Sequence, residues 1–297
     1  MPLIWQNSSD SFSEMKPMKH KRKLTYALIT GGSQGIGKSI AVELAERGFN
    51  LLLVALHDDT LENARKELHE KYHLHVDIRV YGTDLTEETA ATRLYDWCHE
   101  NDINVQILVN NAGFGYTGRL NSYSIAFLDK LVHLNIVAVV NLTRVFIDDL
   151  AKYDEAYILN VGSIASYYDT PYKAVYAASK RFVYSFSRAI RAEFKSLGVR
   201  VSVLTPAGVM TNENVKKAAG ALGWTARLIS YTPDEVAKTA VKGMFANKAI
   251  IIPGFFNKIY IGLRKILPAG LTIWMLARQF EKKNVPVYNA ERLEIEE

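Results

Sequence analysis

Seven short apolar runs alternate with stretches of helical spacing along almost the whole chain, and this alternation restricts the fold more than any other feature. The runs are Tyr26–Thr30, Leu51–Leu56, Val76–Tyr81, Gln106–Val109, Tyr157–Val161, Arg200–Leu204 and Ala249–Ile252. Between them apolar residues recur three to four apart, as at Leu61, Ala64 and Leu68. Strands this short and continuously apolar are buried on both faces. Their regular succession with helices predicts an α/β fold, a Rossmann-type doubly wound parallel sheet of about seven strands. A chain of 297 residues, 48% hydrophobic, can bury one such core. Thr232-Pro233-Asp234-Glu235 opens a late helix with a capping box. No repeat or linker divides the chain. The expected organisation is a disordered basic tail over residues 1–23, a Rossmann-fold domain over 24–253 and a helical C-terminal extension over 254–297.

The first strand runs into Thr30-Gly31-Gly32-Ser33-Gln34-Gly35-Ile36-Gly37-Lys38 and then a helix. A glycine-rich turn at that junction lets backbone N–H groups approach a pyrophosphate at the positive helix end. The spacing is Gly-x-x-x-Gly-x-Gly, which differs from the general dinucleotide fingerprint Gly-x-Gly-x-x-Gly. Two further segments follow in order, Asp84-Leu85 after the third run and Asn110-Asn111-Ala112-Gly113 at the end of the fourth.

Together these three segments resemble the short-chain dehydrogenase/reductase family. The resemblance implies that Gly31, Ser33, Gln34, Gly35, Ile36 and Gly37 hold the pyrophosphate of a nicotinamide dinucleotide. It implies that Asp84 and Leu85 contact the adenine, and that Asn111, Ala112 and Gly113 steady the sheet beside the cofactor. An acid at the end of the second strand selects NAD by binding its ribose 2′-OH and repelling a 2′-phosphate. That position is Ala55, so NADP is expected and NAD is the less favoured cofactor. Leu56 stands where many NADP-dependent members carry arginine, which leaves His57 or Lys38 to meet the phosphate.

Tyr176 and Lys180 form Tyr-x-x-x-Lys, and residues four apart share one helix face. A free tyrosine titrates near pH ~10 and is a poor acid–base group near neutrality. A neighbouring ammonium and the positive charge of the nicotinamide are expected to lower that value toward a useful range. Ser163 lies 13 residues before Tyr176, just past the strand Tyr157–Val161. The resemblance covers roughly Leu24 to Ile252 and maps the family's catalytic set onto Asn135, Ser163, Tyr176 and Lys180. By that mapping Tyr176 is the acid–base group and Ser163 binds the substrate oxygen. Lys180 binds the nicotinamide ribose, and Asn135 supports a water-linked proton relay to Lys180. Val209 and Thr211, after Pro206-Ala207-Gly208, meet the carboxamide; Ala207 replaces the family's usual glycine.

The expected enzyme is thus an oxidoreductase interconverting a ketone or aldehyde with an alcohol. Aromatic residues near the site (Phe114, Tyr116, Tyr167, Tyr168) suit a lipophilic substrate of steroid or acyl type, the alternative being that they pack the core or a subunit interface. A nucleotide-binding redox sensor without turnover is the alternative from another class, but it predicts a damaged catalytic set. A nucleotide-sugar epimerase or dehydratase would carry Gly-x-x-Gly-x-x-Gly and a larger substrate domain. No metal is expected, because His and acid spacings form no zinc pattern.

Charge separates the ends from the body. Residues 1–23 hold five Lys/Arg and two acids, and residues 248–283 hold seven Lys/Arg and only Glu281. The rest is net negative. No nucleic-acid motif accompanies the basic ends, so no nucleic-acid partner is expected. The apolar residues Phe255, Phe256, Ile259, Tyr260, Leu263, Ile266 and Leu267 recur at helical spacing, and a second helix over Leu271–Lys283 carries Trp274 and Met275. The expectation is that these helices cover the pocket or a partner subunit, with weak membrane-surface contact as the alternative. A homo-oligomer, dimer or tetramer, is expected. The single cysteine, Cys98, excludes an intrachain disulfide and fits a reducing compartment. No secretory signal and no apolar run long enough to span a bilayer are read from the sequence, and a cytoplasmic location, peripheral to a membrane at most, follows. Met15 and Met18 leave the native start open.

Overall fold

The computed structural model of the chain describes residues 25–207, 231–263 and 267–281. Its strands are β1 (Thr25–Thr30), β2 (Asn50–Ala55), β3 (Ile78–Gly82), β4 (Asn104–Asn110), β5 (Ala156–Val161), β6 (Val199–Leu204) and β7 (Ile250–Ile251). All pair in parallel in the order β3-β2-β1-β4-β5-β6-β7. The doubly wound sheet expected from the alternation is therefore present. Chain progression reverses between β1 and β4, and an open α/β sheet leaves its ligand crevice at that point. Several ends differ from expectation, and β4 starts two residues early, at Asn104. β3 starts at Ile78 rather than Val76, and β7 is reduced to two residues because Pro253 and Gly254 follow at once.

Successive strand residues point to opposite faces and so feed two separate cores. On one face Ile29, Leu53, Val109 and Leu159 pack with α1 (Gly35–Ala45), α2 (Asp59–Tyr72) and α7 (Pro233–Phe245). On the other Leu28, Leu52, Leu108 and Ile158 pack with α3 (Ala90–Glu100), α5 (Ala138–Leu150) and α6 (Ala174–Glu193). The expected capping box opens α7: Glu235 N donates to Thr232 Oγ1 at 3.3 Å, and Thr232 N donates to the Glu235 carboxylate at 2.9 Å. Cys98 is buried in the second core, and burial pushes its thiol up to about 12, so it acts as a packing residue.

α4 (Ile125–Val132) continues through a π-helical turn, His133–Val137, into α5. The resulting rod, Ile125–Leu150, has 26 residues and is long and apolar enough to cross a membrane by length and composition. This corrects the reading that no apolar run has that length. Polar residues at Asp129, Lys130, His133 and Asn135 interrupt the run in sequence but not the helix. Here Leu142, Phe146, Ile147 and Leu150 bury one side of the rod against the sheet. Two helices complete the described chain, α8 (Phe255–Leu263) and α9 (Ala269–Glu281).

Candidate active site

A cleft of about 1270 Å³ opens over the carboxyl ends of β1, β4 and β5. One wall is the glycine turn. Gly31 and Gly35 adopt positive φ, 62° and 56°. A Cβ on Gly37 would lie 2.1 Å from the Gly31 carbonyl oxygen and 2.5 Å from Asn111 Nδ2. The turn must therefore be bare backbone for it to close. Gln34, at the start of α1, makes no side-chain cap, whereas Asp58 caps α2 and Thr232 caps α7. The first N–H groups of α1 thus point into the cleft with no protein side chain at the cap, and they favour an anion there. A dinucleotide pyrophosphate fits this cradle.

β4 is fastened to the turn from across the reversal point. Thr30 Oγ1 accepts from Asn111 N at 2.9 Å and from Ala112 N at 3.0 Å. Asn111 Nδ2 donates to Thr30 O at 2.9 Å and to Gly31 O at 3.1 Å. Asp84 accepts from Thr86 N at 2.8 Å and shapes the turn after β3; Asp84, Leu85, Asn111, Ala112 and Gly113 all line the cleft.

At the end of β2, Ala55 and Leu56 reach the cleft wall. Neither residue suggested for a 2′-phosphate is among the lining residues. A Cβ on Gly82 would lie 2.6 Å from His57 Nδ1, so this imidazole packs on β3. Lys38 is ion-paired with Glu67 at 2.5 Å. Ser33, Gln34, Asp58 and Thr60 do line this end.

The opposite wall gathers Ser163, Tyr176 and Lys180. Ser163 follows β5 and caps a short 3₁₀ turn, Ile164–Tyr167, accepting from Ala165 N at 3.1 Å. Its hydroxyl is hydrogen-bonded to the Tyr176 phenol from α6. Lys180, one helical turn on, is buried and donates to Val161 O at 3.0 Å. Burial draws its ammonium down to about 8. Burial also pushes the Tyr176 phenol above its ordinary value, and the Ser163 hydrogen bond opposes this. The lowering by Lys180 expected from the spacing is not seen among the protein's own groups. The lysine is desolvated in turn and its ammonium is engaged by the Val161 carbonyl.

Asn135 occupies the π-helical turn and is fully buried. The wider turn brings its carboxamide against the loop after β4. Nδ2 donates to Phe114 O at 2.9 Å and to Ser179 Oγ at 3.1 Å, and Oδ1 accepts from Phe114 N at 3.1 Å. It thus ties the loop after Gly113 to α6. Val209 and Thr211 lie outside the described residues, as do residues 212–230.

Several wall residues were not singled out from the sequence. Tyr123, Phe127 and Lys130 come from α4 and its approach, Lys173 precedes α6, and Leu276 comes from α9; Tyr260 and Phe280 line the wall too, from the C-terminal helices expected to cover the pocket. Lys173 Nζ lies 5.9 Å from the centre of the Tyr176 ring. Spacing carries no signal for these residues, because they converge from separate elements. Behind the site, Asn110 Nδ2 donates to Asn160 Oδ1 at 2.8 Å, and Asn160 Nδ2 donates to Ser187 Oγ at 2.9 Å. Among the described residues no cluster of His, Cys, Asp or Glu could hold a metal ion.

The sequence matches the family model for short chain dehydrogenase over residues 25–221. It is 34% identical over 197 residues to a very-long-chain 3-oxoacyl-CoA reductase of Bos taurus and 31% identical over 189 residues to the 17-beta-hydroxysteroid dehydrogenase type 3 of Mus musculus. Each alignment covers 63% of this chain and 60% of the relative, so the chain spans about three fifths of those proteins. A short-chain dehydrogenase from Sphingobium yanoikuyae, solved with NADPH, superposes with a TM-score of 0.68 at 25% identity, covering 88% of this chain and 96% of that one.

Proposed function

The chain belongs to the short chain dehydrogenase family, and from that premise we propose that it is an NADP(H)-preferring oxidoreductase that interconverts a lipophilic ketone or aldehyde with its alcohol. The observation that carries this reading is the placement of Ser163, Tyr176 and Lys180 on one wall of a cleft whose other wall is a bare glycine turn and an uncapped helix. A nicotinamide dinucleotide held there supplies the hydride.

The remaining work falls to the chain's own residues. The N–H groups of Gly31 to Gly37 bind pyrophosphate, and Asp84 and Leu85 bound the adenine end. Ser163 holds the substrate oxygen, and Tyr176 gives that oxygen its proton in reduction or removes it in oxidation. Because burial keeps the phenol protonated, the protein favours the donor form. Lys180 binds the ribose hydroxyls. Asn135 is a positioning residue, fixing the Phe114 backbone and Ser179 so that the cleft keeps its width.

Lys180 gives cofactor binding a pH dependence. Burial depresses its pKa, so the protonated form dominates below about 8. If the ammonium is the binding form, the NADPH Kd is level below that pH. It then weakens by up to about tenfold per unit above it, the slope of one proton. Fluorescence titrations from pH 6 to pH 10 in ~0.1 M salt should show this bend, and Lys180→Met should remove it. A bend that survives in Lys180→Met would assign the proton elsewhere.

NADP preference is supported by Ala55, which places no carboxylate against a 2′-phosphate. Ser33, Gln34 and Thr60 are the polar donors at this end, and the Asp58 carboxylate there is engaged as the cap of α2, accepting from Leu61 N at 3.0 Å. A lipophilic substrate is supported by the wall of Phe114, Tyr116, Phe127, Tyr168, Leu276 and Phe280, and by the names of both relatives. The test follows NADPH oxidation across ketones from small sugars to 3-oxoacyl thioesters and steroids. The apolar ketones should give kcat/KM values larger by roughly tenfold or more, each buried methylene adding about 0.8 kcal/mol. Ala55→Asp should shift the NADPH-to-NADH preference by roughly tenfold or more toward NADH, through like-charge repulsion. Tighter NADH binding by the unmodified protein would refute the cofactor assignment.

A further inference from the structure

α8 has an amphipathic sequence but is docked the wrong way round for a soluble cover. Its polar residue Asn257 is the buried one, 1% exposed, and donates to Pro253 O at 2.8 Å. Its apolar residues Phe255, Phe256 and Ile259 face outward, Phe255 being 69% exposed. On α9, Leu271, Ile273, Trp274 and Met275 are exposed as well, the last two 51% and 53%. The expected cover over the pocket is met only by Tyr260, Leu276 and Phe280, which line the cleft, while the rest of the apolar stripe stays open. Both helices are nonetheless anchored. Tyr168 Oη donates to Tyr260 O at 2.6 Å, and the Tyr172 and Phe280 rings lie 5.9 Å apart.

We propose that the outward face of α8 and α9 docks on an anionic lipid bilayer. An exposed apolar surface of this extent marks an interaction site. Charge selects the occupant. Lys258 and Arg278 stand exposed on the same two helices, and the stretch 248–283 carries seven Lys/Arg against the single acid Glu281. A second copy docked through the same face would set two basic surfaces against each other, whereas anionic headgroups complement them. Arg278 lies over the Trp274 ring, 4.3 Å from its centre, pairing a cation with an interfacial aromatic. Apolar face and flanking Lys/Arg are what holds a helix in the plane of a membrane interface.

The same two helices contribute Tyr260, Leu276 and Phe280 to the cleft. Docking would therefore set the substrate end of the cleft at the lipid boundary, a consequence that rests on the reductase reading. The docking itself does not depend on it.

The test is sedimentation of the full chain with phosphatidylcholine vesicles, with and without roughly one third phosphatidylglycerol. The protein should pellet with the anionic vesicles at low salt and be released at ~1 M salt, where the Debye length is about 3 Å. Lys258→Gln with Arg278→Gln should weaken binding by roughly tenfold or more. Phe255→Glu with Trp274→Glu should abolish it while leaving the NADPH Kd unchanged, which certifies the fold. Protein that remains in the supernatant with anionic vesicles at low salt overturns the proposal. So does undiminished pelleting of the Phe255→Glu, Trp274→Glu variant. A dimer that this variant dissociates, with no vesicle binding by the unmodified chain, assigns the face to a second copy instead.

Discussion

Tyr176→Phe should lower turnover by roughly 10²–10⁴-fold, the usual contribution of general acid–base catalysis. The NADPH Kd should stay within about twofold, because the ring remains and only the hydroxyl is lost. Steady-state kinetics with the best ketone of the panel and a parallel binding titration separate the two quantities. Ser163→Ala should also reduce turnover, since the hydroxyl bonded to the phenol is removed. Near-native turnover by Tyr176→Phe would remove the proposed acid and with it the mechanism.

Gly37→Ala should abolish tight cofactor binding. The added methyl would lie 2.1 Å from the Gly31 carbonyl oxygen, and the Asn111 amide at 2.5 Å leaves no second way out. Backbone must move, and the turn that presents the α1 N–H groups moves with it. Overpacking of a closed site costs about 1–3 kcal/mol, which corresponds to a rise in NADPH Kd of roughly 10–100-fold. Melting temperature should fall as well, because the same contact holds β1 to β4. An unchanged NADPH Kd would show that the turn does not carry the pyrophosphate.

The parts of the site that follow one another in sequence were legible there. The strand, glycine turn and helix from Thr25 to Ala45 announce themselves by local chemistry, and so does the Tyr176–Lys180 pair on one face of α6. The parallel, doubly wound sheet also followed from the alternation of short apolar strands with helices; its strand order did not. What escaped was set by three-dimensional convergence or by competition between forces. Helical spacing placed an ammonium beside the phenol; that both groups are buried, which raises the phenol and lowers the ammonium in the chain alone, is visible only in the fold. Asn135 is singled out only through the family resemblance, and only the π-helical turn explains how its carboxamide spans Phe114 and Ser179. His57 and Lys38 stood in plausible places along the chain, yet packing on Gly82 and the pairing with Glu67 draw them elsewhere. The apolar stripe of α8 was visible as a stripe. Its direction was not, because periodicity defines a face without saying which way the face turns.

The junction between Thr30 and Asn111 has a consequence for how the protein comes to be folded. These residues are 81 positions apart, and β2, α2, β3 and α3 all lie between them. The pyrophosphate cradle therefore does not exist as a local motif that forms early. It is completed when a distant strand arrives, and such long loop closures slow folding. A chain still emerging in synthesis carries the glycine turn long before it carries the amide that braces it. Any ligand that recognises the finished turn then binds the native state and not its precursors, and in doing so draws the folding equilibrium forward by mass action.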